Sequence, residues 1–250
     1  MDKRDLKNYY NRKAKELDEI IITYESPSLY KRFFFNTRFN KVVKALSPRR
    51  GEIILDLGCG AGYYTNYLIK KGCKVFATDI SDEYVKQTKK YTNNNAKYYI
   101  SDAAILPFKS NYFDKVLMTE VIEHLPDPQN ALMEVKRVLK VEGVAVITTP
   151  NKFSYMNLAY TLKRKIRKYK FNEHLTEYSQ KEFSKLLSKY FQIEDVFFSN
   201  HLLPYPIDNL FINLKSKKII SFLKFLERKL SGLYLVKNLG WTMIYQVKKT

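Results

Sequence analysis

Two periodicities alternate through the middle of the chain. Near-continuous apolar runs of strand length stand at 52–58 (EIILDLG), 74–80 (KVFATDI), 96–101 (AKYYIS), 113–121 (FDKVLMTEV) and 143–149 (GVAVITT). Runs of that kind suit strands covered on both faces. Segments of helical pattern lie between them. YYTNYLIKKG ends at Gly72, a C-cap residue, and SDEYVKQTKKY opens on Ser81 or Asp82 as N-cap. DPQNALMEVKRVLK has Asp127 placed as N-cap with Pro128 at the first helical position. Its Ala131, Leu132, Val135, Val138 and Leu139 share one helical face. Strands alternating with helices predict a parallel, doubly wound α/β sheet.

Beyond Pro150 the pattern changes. The stretch 151–177 reads as an excursion from the sheet, and SQKEFSKLLSKYF returns as a helix whose Ser179 and Glu182 are spaced as a capping box. Two more strands are expected at 191–199 and 241–247. Between them IISFLKFLERKLSG forms an amphipathic helix that buries Ile219, Phe222, Leu223, Leu226 and Leu230 and shows Lys224 and Arg228. With no internal repeat or low-complexity linker, a single domain over 1–250 is expected: a helical cap over 1–50, a core over 51–150, and lids at 151–176 and 200–240.

Composition adds one feature to this picture. The formal charge is +19, but residues 51–150 carry twelve basic and twelve acidic side chains. The excess sits at 1–50 (thirteen against six) and 151–250 (nineteen against seven). A neutral core with basic flanks fits either a Lys-rich solvated surface or a polyanionic partner, such as nucleic acid or an anionic membrane. Two cysteines suggest no disulfide framework, the charged start MDKRDLKNYY is unlike a signal peptide, and no apolar run approaches membrane-span length. A cytoplasmic location is the expectation.

Candidate chemistry gathers where the strands end. In ILDLGCGAG a strand runs through Asp56, and Gly58, Gly60 and Gly62 follow at alternate positions. They permit a tight turn and close approach of a ligand to the backbone, beside a helix N-terminus. The dinucleotide pattern would need glycine at 63, which is Tyr63. Asp79 closes the next strand, 21 residues beyond Gly58, where a carboxylate can accept from ribose hydroxyls. Asp102 follows the third strand, and TEVIEHLPDP follows the fourth.

With these elements in this order, from ILDLGCGAG through ATDIS, SDAAILPF and FDKVLMTEVIEHLPDP to EVKRVLKVEGVAVITTPN, the chain resembles the class I S-adenosylmethionine-dependent methyltransferases. Within them it looks most like the ubiquinone-biosynthesis O-methyltransferase type. The resemblance implies a Rossmann-like sheet of seven strands with the last antiparallel, plus helical lid insertions. It implies that Asp56 and the Gly58, Cys59 and Gly60 backbone hold the cofactor's methionine moiety. By the same resemblance Asp79 and Ile80 serve the ribose, Asp102 and Ala103 the adenine, and Glu120 the sulfonium side. Arg38 matches an arginine that contacts the cofactor carboxylate in some relatives, and Tyr9 and Tyr10 are cap candidates. Three readings of the TEVIEHL stretch stay open. Glu120, Glu123 and His124, with His174 downstream, are candidate ligands for a divalent metal. Alternatively His124, with Glu123, is the acid/base residue. Otherwise His124 orders the loop before Pro126.

The acceptor should touch the variable, basic parts of the chain. Lys163, Arg164, Lys165, Arg167, Lys168 and Lys170 crowd LKRKIRKYK directly after the fifth strand. A small-molecule or lipid-linked acceptor methylated at oxygen is the leading expectation. An RNA acceptor and a non-catalytic cofactor-binding protein are the alternatives.

Overall fold

The computed structural model describes residues 3–16, 24–154, 157, 175–201, 216–233 and 236–250. Its elements in chain order are α1 (Lys3–Glu16), α2 (Leu29–Leu46), β1 (Ile53–Leu57), α3 (Tyr63–Lys70), β2 (Lys74–Asp79), α4 (Asp82–Tyr91), β3 (Lys97–Ile100) and β4 (Phe113–Thr119). Then come α5 (Pro128–Val138), β5 (Leu139–Pro150), α6 (Gln180–Leu187), β6 (Gln192–Ser199), α7 (Lys217–Gly232) and β7 (Thr242–Lys248). All seven expected strands are present. They form one sheet in the order β3-β2-β1-β4-β5-β7-β6, with β1 to β5 parallel and β7 antiparallel to both its neighbours.

Side-chain alternation along the strands divides the core in two. Leu55, Val116, Met118, Ala145, Ile147, Met243 and Tyr245 meet α5 and α6 through Ala131, Leu132, Val135, Phe183 and Leu187. Ile54, Val75, Leu117, Val146 and Ile244 point the other way, against Phe39, Val42 and Leu46 of α2 and Tyr64 and Leu68 of α3. Covering both faces explains why the sequence shows runs rather than strict alternation. The helix starts follow local chemistry. Ser81 accepts from Tyr84 N, Asp127 accepts from Asn130 N ahead of Pro128, and Ser179 with Glu182 completes the capping box. Each such cap stabilises its helix by about 1 kcal/mol.

The face of α7 corrects the sequence expectation. Leu223 and Glu227 are buried, with Ile220 packed beside Tyr30 and Phe33, while Ile219 and Phe222 stand 45% and 58% exposed. Apolar periodicity could not anticipate that an acid would be the buried anchor. Glu227 Oε1 and Oε2 accept from the backbone N–H groups of Asn200 and His201 (3.0 and 2.9 Å), and Oε1 lies 2.9 Å from His201 Nδ1. These bonds rotate the helix about its axis relative to its most apolar stripe. The basic run 163–170, His174 and most of the expected lid over 151–176 lie outside the described residues. No described helix is long and apolar enough to cross a membrane.

Candidate active site

The carboxyl ends of β1, β2, β3 and β4 open into one cavity of about 420 Å³, the expected place for a ligand in a doubly wound sheet. After β1 the chain turns through Gly58–Gly62, and the N–H groups of Gly58 and Cys59 both donate to Thr78 O (2.8 and 2.9 Å), stitching the turn to β2. Gly58 has φ +77°, and a Cβ there would lie 2.2 Å from Val121 Cγ2. Both the backbone conformation and the space therefore require glycine. Asp79 braces the same turn, accepting from Gly60 N at 3.0 Å and Ser81 N at 2.9 Å.

Of the residues expected at a cofactor, Arg38, Gly58, Cys59, Gly60, Asp79, Ile80, Asp102, Ala103 and Glu120 all border this cavity. Asp56 does not. It lies beneath the turn, 1% exposed, and accepts a 2.6 Å bond from Thr65 Oγ1. Burial pushes its carboxyl up to about 6; the Thr65 bond opposes that shift and the nearby charge of Asp79 adds to it. Cys59 is buried too, and its thiol is pushed well above the usual range by desolvation and by the charges of Asp79 and Asp56. It is a neutral packing residue here.

The opposite wall is aromatic, and the sequence reading missed most of it. Tyr24, Phe35, Tyr63 and Tyr64 line the cavity, and the Tyr24 and Tyr63 rings stack at 3.7 Å. Tyr63 and Tyr64, in the first turn after the glycines, were the signal available. Phe35 arrives through tertiary packing of α2, and Tyr24 from the turn that precedes that helix. The cap candidate Tyr10 borders the cavity as well, its ring edge-on to His124 at 5.6 Å between centroids.

Glu120 has φ +53°, a left-handed conformation unfavourable for a side-chain-bearing residue. Hydrogen bonds hold it there: its N–H donates to Thr148, Thr148 Oγ1 donates to its Oε1 at 2.8 Å, and its Oε2 pairs with an Arg38 terminal nitrogen at 2.9 Å. Burial alone would lower the Arg38 value, but Glu120, Tyr24 and Tyr64 outweigh it and raise it. Arg38 Nε is buried without a hydrogen-bond partner among the described residues. Such an orphaned donor at the cavity wall fits a carboxylate ligand.

On the one-turn helix Ile122–His124, Glu123 is 1% exposed and neither carboxyl oxygen finds a partner among the described residues. Burial, then the charge of Glu120, raises its carboxyl well above the usual glutamate range. His124 Nε2 lies 3.8 Å from Glu123 Oε1. A metal fits this set poorly. Glu120 is already neutralised by Arg38, and no three metal-capable side chains cluster among the described residues. His174, the fourth ligand in that reading, lies outside them.

Residues 55–147 match the family described as a methyltransferase domain. Sheet order and cavity match the Rossmann-like methyltransferase fold. The ubiquinone biosynthesis O-methyltransferase of Coxiella burnetii is 29% identical over 125 residues, 49% of this chain and 53% of that protein. The chain thus spans about half the length of the curated relatives it matches. Among solved structures, a Thermotoga maritima S-adenosylmethionine-dependent methyltransferase, described as a possible histamine N-methyltransferase, superposes with a TM-score of 0.68 at 20% identity, covering 96% of this chain and 98% of that one. Magnesium protoporphyrin IX methyltransferase from Synechocystis, solved with bound SAH, covers 100% of both chains at a TM-score of 0.66 and 15% identity.

Proposed function

We propose that this protein transfers a methyl group from S-adenosylmethionine to an oxygen of a small or lipid-linked acceptor. The observation that carries the reading is the single cavity joining the glycine turn, Asp79 and Asp102 to Glu123 and His124. Arg38, with its orphaned Nε, offers the methionine carboxylate a donor, and Glu120 offers the ammonium an acceptor. Asp79 and Ile80 serve the ribose, and Asp102 with Ala103 the adenine. When bound, the cofactor supplies a methyl group already activated by its sulfonium.

What remains for the chain is alignment and proton removal. The buried Glu123 carboxyl holds the acceptor oxygen by a hydrogen bond. His124 Nε2 takes the acceptor's proton. The aromatic wall of Tyr24, Phe35, Tyr63 and Tyr64 excludes water and favours cations over its ring faces.

The test is transfer of labelled methyl to a panel of phenols, catechols and polyprenylated phenols, with RNA as a separate arm because of the +19 charge. His124→Ala is expected to lower kcat by about 10²–10⁴ while binding of the demethylated cofactor stays intact. An unchanged kcat removes His124 from the chemistry. Tight cofactor binding with no labelled acceptor in any arm makes the protein a cofactor sensor instead.

A further inference from the structure

The surface of α7 that packs against the body is narrow. Leu223 and Glu227 are buried, and Ile220 is half-buried against Tyr30 and Phe33. A second stripe runs beside it. Lys218, Phe222, Phe225 and Lys229 follow one another at steps of four, three and four, which places them in one row on a helix. Ile219 adjoins the row. Ile219, Phe222 and Phe225 are 45%, 58% and 45% exposed, so the chain's own core leaves them uncovered. Arg228 and Lys229 lie 5.9 and 5.7 Å from the centre of the Phe225 ring.

Charge decides what fits this row. Every basic residue of α7, namely Lys217, Lys218, Lys224, Arg228 and Lys229, is exposed, and its one acid, Glu227, is buried and engaged by His201. The outer surface of the helix is therefore cationic and apolar together. A second copy of the chain would set this cationic row against itself. RNA would satisfy the cations but offers no hydrocarbon to Phe222 and Ile219. An anionic lipid surface supplies both, with phosphates for the lysines and the acyl boundary for the phenylalanines. We infer that α7 is a membrane-docking helix that lies in the interface of an anionic bilayer through Lys218, Phe222, Phe225 and Lys229.

The position of α7 gives the docking a use. Helix α2 carries Tyr30 and Phe33 beneath α7, and Phe35 and Arg38 in the cavity wall. From Tyr30 to Arg38 is eight residues, ~12 Å of helix. A docked α7 keeps the cavity close to the lipid surface. The inference does not depend on which atom is methylated, and its test uses no turnover.

Flotation of the intact protein with phosphatidylcholine vesicles, with and without phosphatidylglycerol, reads it directly. Wild type is expected to float with the anionic vesicles only, and added salt should weaken the association. Phe222→Ser with Phe225→Ser, and separately Lys218→Glu with Lys229→Glu, should each lower the partition coefficient by at least about tenfold. Lys89→Glu with Lys90→Glu makes the same change of charge on the exposed end of α4 and should stay within about threefold of wild type. Circular dichroism melting and binding of the demethylated cofactor should match wild type in every variant, which separates lost docking from lost folding. Four results overturn the inference: no flotation of wild type, equal flotation with neutral vesicles, a phenylalanine variant that floats like wild type, or a control that falls as far as the α7 variants. A wild-type dimer in light scattering that the phenylalanine variant abolishes also overturns it, by giving the row to a second copy. So does single-stranded RNA binding that the same variants abolish without vesicle binding in wild type.

Discussion

At the scale of single residues, Asp56 shows how a motif acid can be legible in sequence and still take an unexpected place. Its position two residues before Gly58 marked it for the ligand, yet the structure holds it below the turn on Thr65, with its carboxyl pushed up to about 6 by burial. Raising an acid's folded value above the unfolded 3.8 makes its ionised form destabilising. The penalty is small near pH 4, grows as pH rises to about 6 and is constant above, at about 3 kcal/mol. Asp56→Asn keeps an acceptor for Thr65 and removes the penalty. The ligand-free variant should therefore unfold at higher denaturant than wild type at pH 7, and differ little from it at pH 4. Equal midpoints at pH 7 would show that the carboxylate is charged and compensated. Glu120 and Arg38 make the complementary point: each was a candidate alone, but nothing local announced that they pair with each other, because the contact depends on α2 crossing the end of β4.

Individual elements were more legible than the contacts between them. Strand runs, caps and glycine stops are local signals, so β1 to β5 and their helices could be read in order, whereas the packing of α1 could not. This helix brings Leu6, Tyr10 and Lys13 to the cavity and docks on α4 through Asn11, through Lys7 and Lys15 beside Asp82 and Glu83, and through the Gln87 bond to Ala14 O. Asn11 donates to Asp82 Oδ1 at 2.8 Å and accepts from Ser81 Oγ at 2.6 Å, gripping the start of α4. The Asn11 bond is also the chief cause of the lowered Asp82 carboxyl. Asn11→Ala removes these bonds and the longer one that Asn11 Oδ1 accepts from Glu83 N, at a cost of about 1–2 kcal/mol to docking of the helix. Amide exchange within α1 should quicken about tenfold, while exchange in β1 and β4 stays at the wild-type rate. Affinity for the demethylated cofactor should fall with it. Unchanged exchange in α1 would mean that its other contacts, the apolar ones of Ala14 and Tyr10 with Tyr84 among them, suffice to hold it.

For the whole molecule, the demanding step is the return of the chain to place β7 between β5 and β6. After β6 it must leave the sheet, pass through α7 and re-enter antiparallel. Glu227 ties the exit to the return. It accepts from Asn200 and His201 just past β6, and His201 Nε2 in turn lies 2.8 Å from Lys237 O, just before β7. Lys41 of α2 reaches the same carboxylate at 3.7 Å and donates to Phe198 O. Burial alone would raise the Glu227 carboxyl, but His201 and Lys41 bring it below its usual 4.5. Lys41 is itself lowered because burial outweighs this more distant partner, so the shorter His201 contact governs the node. A lowered acid adds stability that is full above its unfolded value and is lost as pH falls through the folded one. Glu227→Ala should therefore cost about 3–5 kcal/mol at pH 7, the scale for stranding buried charges, and the deficit should shrink below pH 4.5 as wild type loses the same interactions. Urea titrations at a series of pH values measure this. A deficit that persists undiminished in acid would assign the cost to lost packing under α7 rather than to the charged node.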